Sequence, residues 1–197
     1  MDSKNVSTMN WRRSMEAIDA IQTRVSAARL DSPGPSEDDL SLILRSGIRA
    51  PDHGRLTPWR FVIIEGAARE TLGNAMAELR KRNFADATDE SLESERAKAR
   101  RAPMIIVVAA RVDRQSKVPE IEQILAAGAC AQNIWLAAHA LGYAGMWKTG
   151  DVAYDPSVKK AIGLSEDDHV VAFLYIGTAV AKAPVRPLEL ERFITRL

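Results

Sequence analysis

Two stretches of the chain carry residue types that can hold a phosphate-bearing planar ligand. The first runs Ile48-Arg49-Ala50-Pro51-Asp52-His53 and on to Pro58-Trp59-Arg60-Phe61. The second is Gly142-Tyr143-Ala144-Gly145-Met146-Trp147-Lys148-Thr149-Gly150. Each joins a cation, a turn former and an indole. A phosphomonoester carries about −1.5 to −2 charges at neutral pH and needs cations, glycine lets backbone approach a ring closely, and an indole packs against a flat surface. Neither stretch is persuasive without the other, and together they fit a flavin.

Absences point the same way. No Gly-x-Gly-x-x-Gly follows a strand, no P-loop lysine motif is present, and no Gly-x-Ser-x-Gly elbow exists for a serine hydrolase. Carboxylates are plentiful, but none sits in an apolar segment where burial would raise its pKa for acid catalysis. A chain with so little acid-base equipment needs a cofactor for its chemistry.

The elements that must position these stretches alternate between helix and strand, so one α+β domain is expected. Met15, Ile18, Ile21 and Val25 recur at helical spacing and predict a first helix through the teens, ending near Arg24 to Ala28. Ser36 followed by Glu37, Asp38 and Asp39 starts a second, with Leu40, Ile43 and Leu44 as its buried stripe and Gly47 or Ala50-Pro51 as its stop. Phe61 to Ile64 reads as a strand, followed by a helix marked by Leu72, Met76 and Leu79. Ser91 to Arg101 is so charged that it reads as a solvated helical face. Met104 to Ala110, β-branched and uncharged, is the strongest strand. The helix from Pro119 to Leu141 is apolar nearly all round and rich in small residues, so something must cover every face of it. Tyr143 to Lys148 and His169 to Thr178 are further strands, and Asp155-Pro156 caps a short helix to Ile162.

Composition bounds the class. At 197 residues, 46% hydrophobic and 27% charged, the chain fits one globular domain or one subunit of an oligomer. A net charge of +1 argues against nucleic-acid binding as its main work. The single Cys130 and three scattered histidines exclude an intrachain disulfide and give no metal-ligand spacing. The start lacks the apolar core of a signal peptide and no stretch reads as a membrane span, so a cytoplasmic protein is expected.

Arg24-Val25-Ser26, Arg49-Ala50-Pro51-Asp52-His53 through Pro58-Trp59, Gly145 to Gly150, and Phe173-Leu174-Tyr175-Ile176-Gly177-Thr178 occur in the order of a known set. The chain resembles the minimal bacterial subgroup of the nitroreductase family from Ala17 to Thr178. The resemblance implies an α+β fold with a central antiparallel sheet flanked by helices, and an obligate homodimer with FMN at its interface. It also implies an oxidoreductase that takes hydride from NADH or NADPH and reduces nitroaromatic, quinone or similar small-molecule acceptors by a ping-pong mechanism. Carried over, Arg24, Val25 and Ser26 contact the FMN phosphate and ribityl chain, joined by Trp147, Lys148 and Thr149 of the same subunit. Arg49 and His53 reach the partner's flavin. A nicotinamide contact falls on Ala137, Ala138, His139, Ala140, Leu141 and Gly142. The domain then covers residues 14–197, and residues 1–13 form an N-terminal extension in which Trp11-Arg12-Arg13-Ser14 begins a mimic of the family's Arg-Arg-Ser motif.

On physical grounds Arg24, Lys148 and one further cation could neutralise the phosphate, while Ser26 and Thr149 donate neutral hydrogen bonds. At the ring end Gly145 admits the backbone and Met146 offers an N–H. The chain departs from the family pattern where Val25 replaces a second arginine, where Lys148 and Thr149 replace Arg and Ser, and where Thr57 replaces the Gln before Pro-Trp. Lys148 keeps the charge but loses bidentate geometry. Two other classes fit the same residues: a flavoenzyme of this fold with other chemistry, such as reductive dehalogenation or flavin fragmentation, and a non-enzymatic flavin-binding protein.

Overall fold

The computed structural model describes residues 15–181 and 183–197. The Trp11 to Ser14 mimic and the rest of the proposed extension lie outside the described residues. The elements run α1 (Ala17–Thr23), β1 (Leu30–Asp31), α2 (Glu37–Gly47), β2 (Trp59–Glu65), α3 (Ala68–Asn83), α4 (Asp89–Lys98), β3 (Met104–Ala110), α5 (Glu120–Ala140), β4 (Ala144–Lys148), α6 (Pro156–Ala161) and β5 (His169–Ala179).

Capping chemistry sets several of the boundaries. Ser36 accepts a hydrogen bond from the Asp39 N–H, Thr88 from Ser91 and Asp155 from Val158, so the first turns of α2, α4 and α6 are satisfied by short polar side chains. α5 ends where the Tyr143 N–H bonds back to the Ala138 carbonyl and Gly142 takes φ 91°, a turn that glycine enters without strain.

β3 is central because it is apolar on both faces, and all seven of its residues are buried. It pairs antiparallel with β2 on one side and β5 on the other, and β1 and β4 both pair with β5 beyond. The alternation of β3 and β5 sorts side chains between two cores. Ile106, Val108, Leu174 and Ile176 pack with Leu40, Ile43, Cys130 and Ile134 of α2 and α5. Ile105, Val107, Phe173 and Tyr175 pack with Leu72, Met76, Leu79 and Val158 of α3 and α6. α2 and α5 approach closely at Gly47, where a Cβ would stand 2.5 Å from Ile134 Cγ1. Burial pushes the Cys130 thiol up to about 12, as suits a small apolar filler.

The strands and the capped helices match the sequence expectations closely, and three features differ. β1 carries too few residues to leave a periodic signal. The first helix does not bury its apolar stripe, since Ile18 is 64% and Ile21 is 56% exposed, and only Ala20 is buried within it. The long helix is likewise uncovered on one side, with Ile121 60% and Leu125 63% exposed.

Candidate functional site

The site is organised around β4. One edge of β4 pairs with β5; on the other, Ser26 bridges Gly145 and the Ala27 N–H donates to the Gly145 carbonyl at 2.9 Å. That carbonyl points away from β5, so strand alternation directs the polar groups of Met146 and Lys148 into the sheet and leaves those of Trp147 on the free edge. The Met146 N–H is therefore committed to the ladder, and Trp147 supplies the free edge donor in its place. Gly145 serves packing rather than ring access: a Cβ there would lie 2.6 Å from Trp135 Nε1 and 3.0 Å from Ile176 Cδ1.

Side chains of β4 alternate in the same way. Gly145 and Trp147 face α5, where the Trp135 and Trp147 ring centroids are 6.3 Å apart and Trp147 Nε1 donates to the Val171 carbonyl at 3.2 Å. Arg24, just past α1, lays its guanidinium over the Trp135 ring at 3.9 Å. Its Nη1 is buried with no hydrogen-bond partner, and burial lowers the Arg24 pKa from its ordinary value. A guanidinium stacked on an indole, with one donor buried and unpaired, offers a seat for an anion. Ser26 is exposed beside it and Val25 is half-buried. His139 Nε2 lies 3.0 Å from Thr23 Oγ1, whose own proton goes to the Asp19 carbonyl, so the imidazole donates. Burial and then the Arg24 charge hold His139 below its usual pKa.

Met146 and Lys148 face the other way, into a cavity of about 420 Å³ beneath α3 and α4 that Ala27, Thr149 and Gly150 also line. Its charged lining is Arg80, Lys98, Arg101 and Lys148 against Glu95 and Asp151. Lys98 Nζ lies 2.6 Å from both Glu95 oxygens, and Arg80 Nη1 is 3.9 Å from one of them. Arg80 Nε is buried without a partner, and its guanidinium sits 4.5 Å over Phe84. Among the described residues, neither Arg101 nor Lys148 forms an ion pair. The cavity thus holds an excess of positive charge over an apolar floor.

This assembly corrects the reading of Ser91 to Arg101 as a solvated face. α4 buries none of its own residues, yet Glu95 and Lys98 form the cavity wall, and Arg101 follows them. Nothing in a charged run marks which of its residues face inward, because α4 is fastened by ion pairs, Arg100 with Glu70 and Glu93, rather than by an apolar stripe.

The sequence-predicted residues separate into three places. Arg24, Val25 and Ser26 stand on the α5 side of β4, whereas Lys148 points to the opposite face, so Arg24 and Lys148 do not form a single phosphate clamp within one subunit. Thr149 lies with Lys148 at the cavity, and Trp147 lies between the two groups. Arg49 and His53 line neither place: Arg49 is exposed without an ion pair among the described residues, and His53 Nδ1 lies 2.6 Å from Glu122 Oε2 at the start of α5. In the stretch from Ala137 to Gly142, Ala138 is fully buried, Ala137, His139, Ala140 and Leu141 are partly buried, and Gly142 is exposed. Few of those side chains are free to meet a ligand.

The Nitroreductase family model matches residues 21–178. Among curated relatives, "Putative NAD(P)H nitroreductase YdjA" of Escherichia coli (strain K12) is 38% identical over 86% of this chain and 91% of its own. A "Putative NAD(P)H nitroreductase" of Haemophilus influenzae is 36% identical over 93% of this chain and 100% of its own. Solved structures share the fold: the nitroreductase-like family protein from Bacillus cereus superposes with TM-score 0.77 at 23% identity, covering 93% and 96% of the two chains. The "putative nitroreductase in complex with fmn" from Desulfovibrio desulfuricans gives TM-score 0.72 at 24% identity over 93% and 97%. With its antiparallel α+β sheet, the ordered motifs along β4 and a family match over most of its length, the chain belongs to the nitroreductase family.

Proposed function

We propose that this chain is an FMN-dependent oxidoreductase that takes hydride from NADH or NADPH and reduces nitroaromatic, quinone or similar acceptors. The observation that carries the reading is a pair of complementary ends about β4: the Arg24 guanidinium, stacked on Trp135 with its Nη1 buried and unpartnered, and a cation-rich cavity headed by Lys148 across the β4 edge. FMN has the matching ends, a phosphomonoester and a ring whose pyrimidine edge is rich in acceptors. When bound, it supplies two-electron hydride chemistry for which the protein itself has no groups.

The residues present fit that cofactor. Arg24 and the Ser26 hydroxyl receive the phosphate, and the stacking of Arg24 on Trp135 fixes the guanidinium beforehand, reducing the ordering cost of binding. Lys148, Arg101 and the free Trp147 N–H set positive potential at the ring end, favouring negative charge there. The apolar floor of the cavity excludes water and strengthens those interactions.

The functional unit is a homodimer in the cytoplasm, with each flavin shared between subunits. Support comes from Ile18, Ile21, Ile121 and Leu125, large aliphatic side chains left uncovered on α1 and α5. His53 lies beside that face, paired with Glu122 next to Ile121, and the exposed Arg49 precedes it by four residues, so a partner's ligand would meet them there. Among the described residues no helix is long and apolar enough to cross a membrane.

The test is the absorption spectrum of the purified protein, followed by anaerobic addition of NADH or NADPH. A flavin spectrum that bleaches, and parallel double-reciprocal lines with an acceptor, are expected. A protein that ignores added FMN ends the cofactor assignment; bound flavin that neither nicotinamide reduces makes this a flavin-binding protein instead.

A further inference from the structure

The cavity contains one group that the flavin reading leaves without work. Tyr175 of β5 stands opposite Met146 of β4 and beside Ile105 of β3, with its side chain on the α3 face. It is only 5% exposed, it lines the cavity, and its hydroxyl makes no hydrogen bond to any described residue. The ring is buried, but the hydroxyl oxygen is not among the fully buried unpartnered atoms, so it opens on the cavity and is free to meet a ligand there. Phenylalanine would fill the same volume in the core, so packing alone does not account for the hydroxyl.

Its surroundings specify what it can meet. Burial pushes the phenol up to about 12, partly offset by the nearby Arg101 charge, so at neutral pH the group is protonated and able to donate. Arg101, Lys98 and Lys148 line the same cavity, and their charges favour a ligand edge made of acceptors. Of the two ends of an isoalloxazine, the dimethylbenzene edge has no acceptor and the pyrimidine edge has two carbonyls.

We propose that Tyr175 is a positioning residue for the flavin, its hydroxyl donating a hydrogen bond to a carbonyl oxygen of the pyrimidine ring. The proposal rests on the flavin reading above and adds, from within the Phe173 to Thr178 segment of β5, a residue to which the resemblance assigned no contact with the flavin. It also fixes the direction of the ring: the pyrimidine edge enters the cavity and the phosphate lies toward Arg24.

Tyr175→Phe tests it, since the substitution removes one oxygen and keeps the ring. The apoprotein is titrated with FMN and with riboflavin, and the bound flavin's absorption bands and reduction potential are recorded anaerobically. The expected result is a dissociation constant raised about two- to twelvefold by the same factor for both ligands, the loss of one neutral hydrogen bond. Shifted absorption bands and a more negative potential accompany it, at an unchanged or higher melting temperature. Wild-type affinity, spectrum and potential in the variant overturn the role of Tyr175, as does a loss confined to FMN, which would place the hydroxyl at the phosphate. Failure of the wild-type protein to bind either ligand overturns the flavin reading itself, a separate result.

Discussion

Arg24→Ala probes the division of labour along β4 most directly. The guanidinium is held over Trp135, and its Nη1 is buried and unpartnered, so one donor is ready for the phosphate. One charge-assisted hydrogen bond contributes roughly 1.5–3 kcal/mol, or about ten- to 150-fold in dissociation constant. Because Lys148 faces the cavity on the other side of the sheet, the loss should fall on the phosphate alone. FMN binding to Arg24→Ala should weaken by that factor, while riboflavin, which lacks the phosphate, should bind within about threefold of wild type. Lys148→Ala should weaken both ligands. Arg24→Lys separates charge from geometry, since lysine keeps the charge but loses planar stacking and the fork of donors. Fluorescence titration of the apoproteins, with melting temperatures as a control for folding, provides the measurement. If Arg24→Ala weakens riboflavin as much as FMN, or leaves FMN untouched, the assignment of the phosphate to the α5 side of β4 is wrong.

Three other outcomes follow from the packing and the charges. Gly145→Ala places a Cβ 2.6 Å from Trp135 Nε1, and should cost about 1–3 kcal/mol of stability by overpacking, read as a lowered melting temperature; an unchanged one would show that Trp135 moves freely. Asp168 is held below the usual carboxylate range chiefly by its hydrogen bonds from Arg111, at 2.8 and 2.7 Å. Its folded pKa is thus depressed, so its contribution is present above the unfolded value of about 3.9 and is lost as pH falls through the folded one. Asp168→Asn should then be destabilised at pH 7 by roughly 1–2 kcal/mol, discounted because Arg111 is half exposed, and should show a flatter decline of melting temperature in acid than wild type. Finally, co-purifying Arg49→Glu with Lys148→Glu subunits should restore about one FMN per mixed dimer, because a shared site leaves one position with both lesions and the other with none; if neither parent nor mixture binds FMN while all remain dimeric, Arg49 acts within its own subunit, and an Arg49→Glu parent that binds FMN normally shows that Arg49 has no part in the site.

Local rules and apolar patterning determined most of the elements here. Ser36, Asp155 and the run Met104 to Ala110 signal caps and a doubly buried strand through their own side chains, and the structure places each as read. The ordered motifs were enough to identify the family, since cation, turn former and indole recur at positions that the chain itself displays. Which of those residues meet was decided by the tertiary structure. Arg24 and Lys148 look interchangeable as cations in the sequence, but alternation along β4 sends Lys148 to the α3 face, while α1 delivers Arg24 to the α5 face. Glu95, Lys98 and Arg101 gave no signal because ion pairs, unlike apolar stripes, have no period. The role of the Tyr175 hydroxyl was hidden for the opposite reason: although Tyr175 stands in the Phe173 to Thr178 motif, inside an apolar strand its ring reads as core, and only the pairing of β5 with β4 and the cavity under α4 show a hydroxyl with no partner. Periodicity reports what a segment buries, whereas the direction of a side chain across a sheet depends on strand register, which is settled by the fold as a whole.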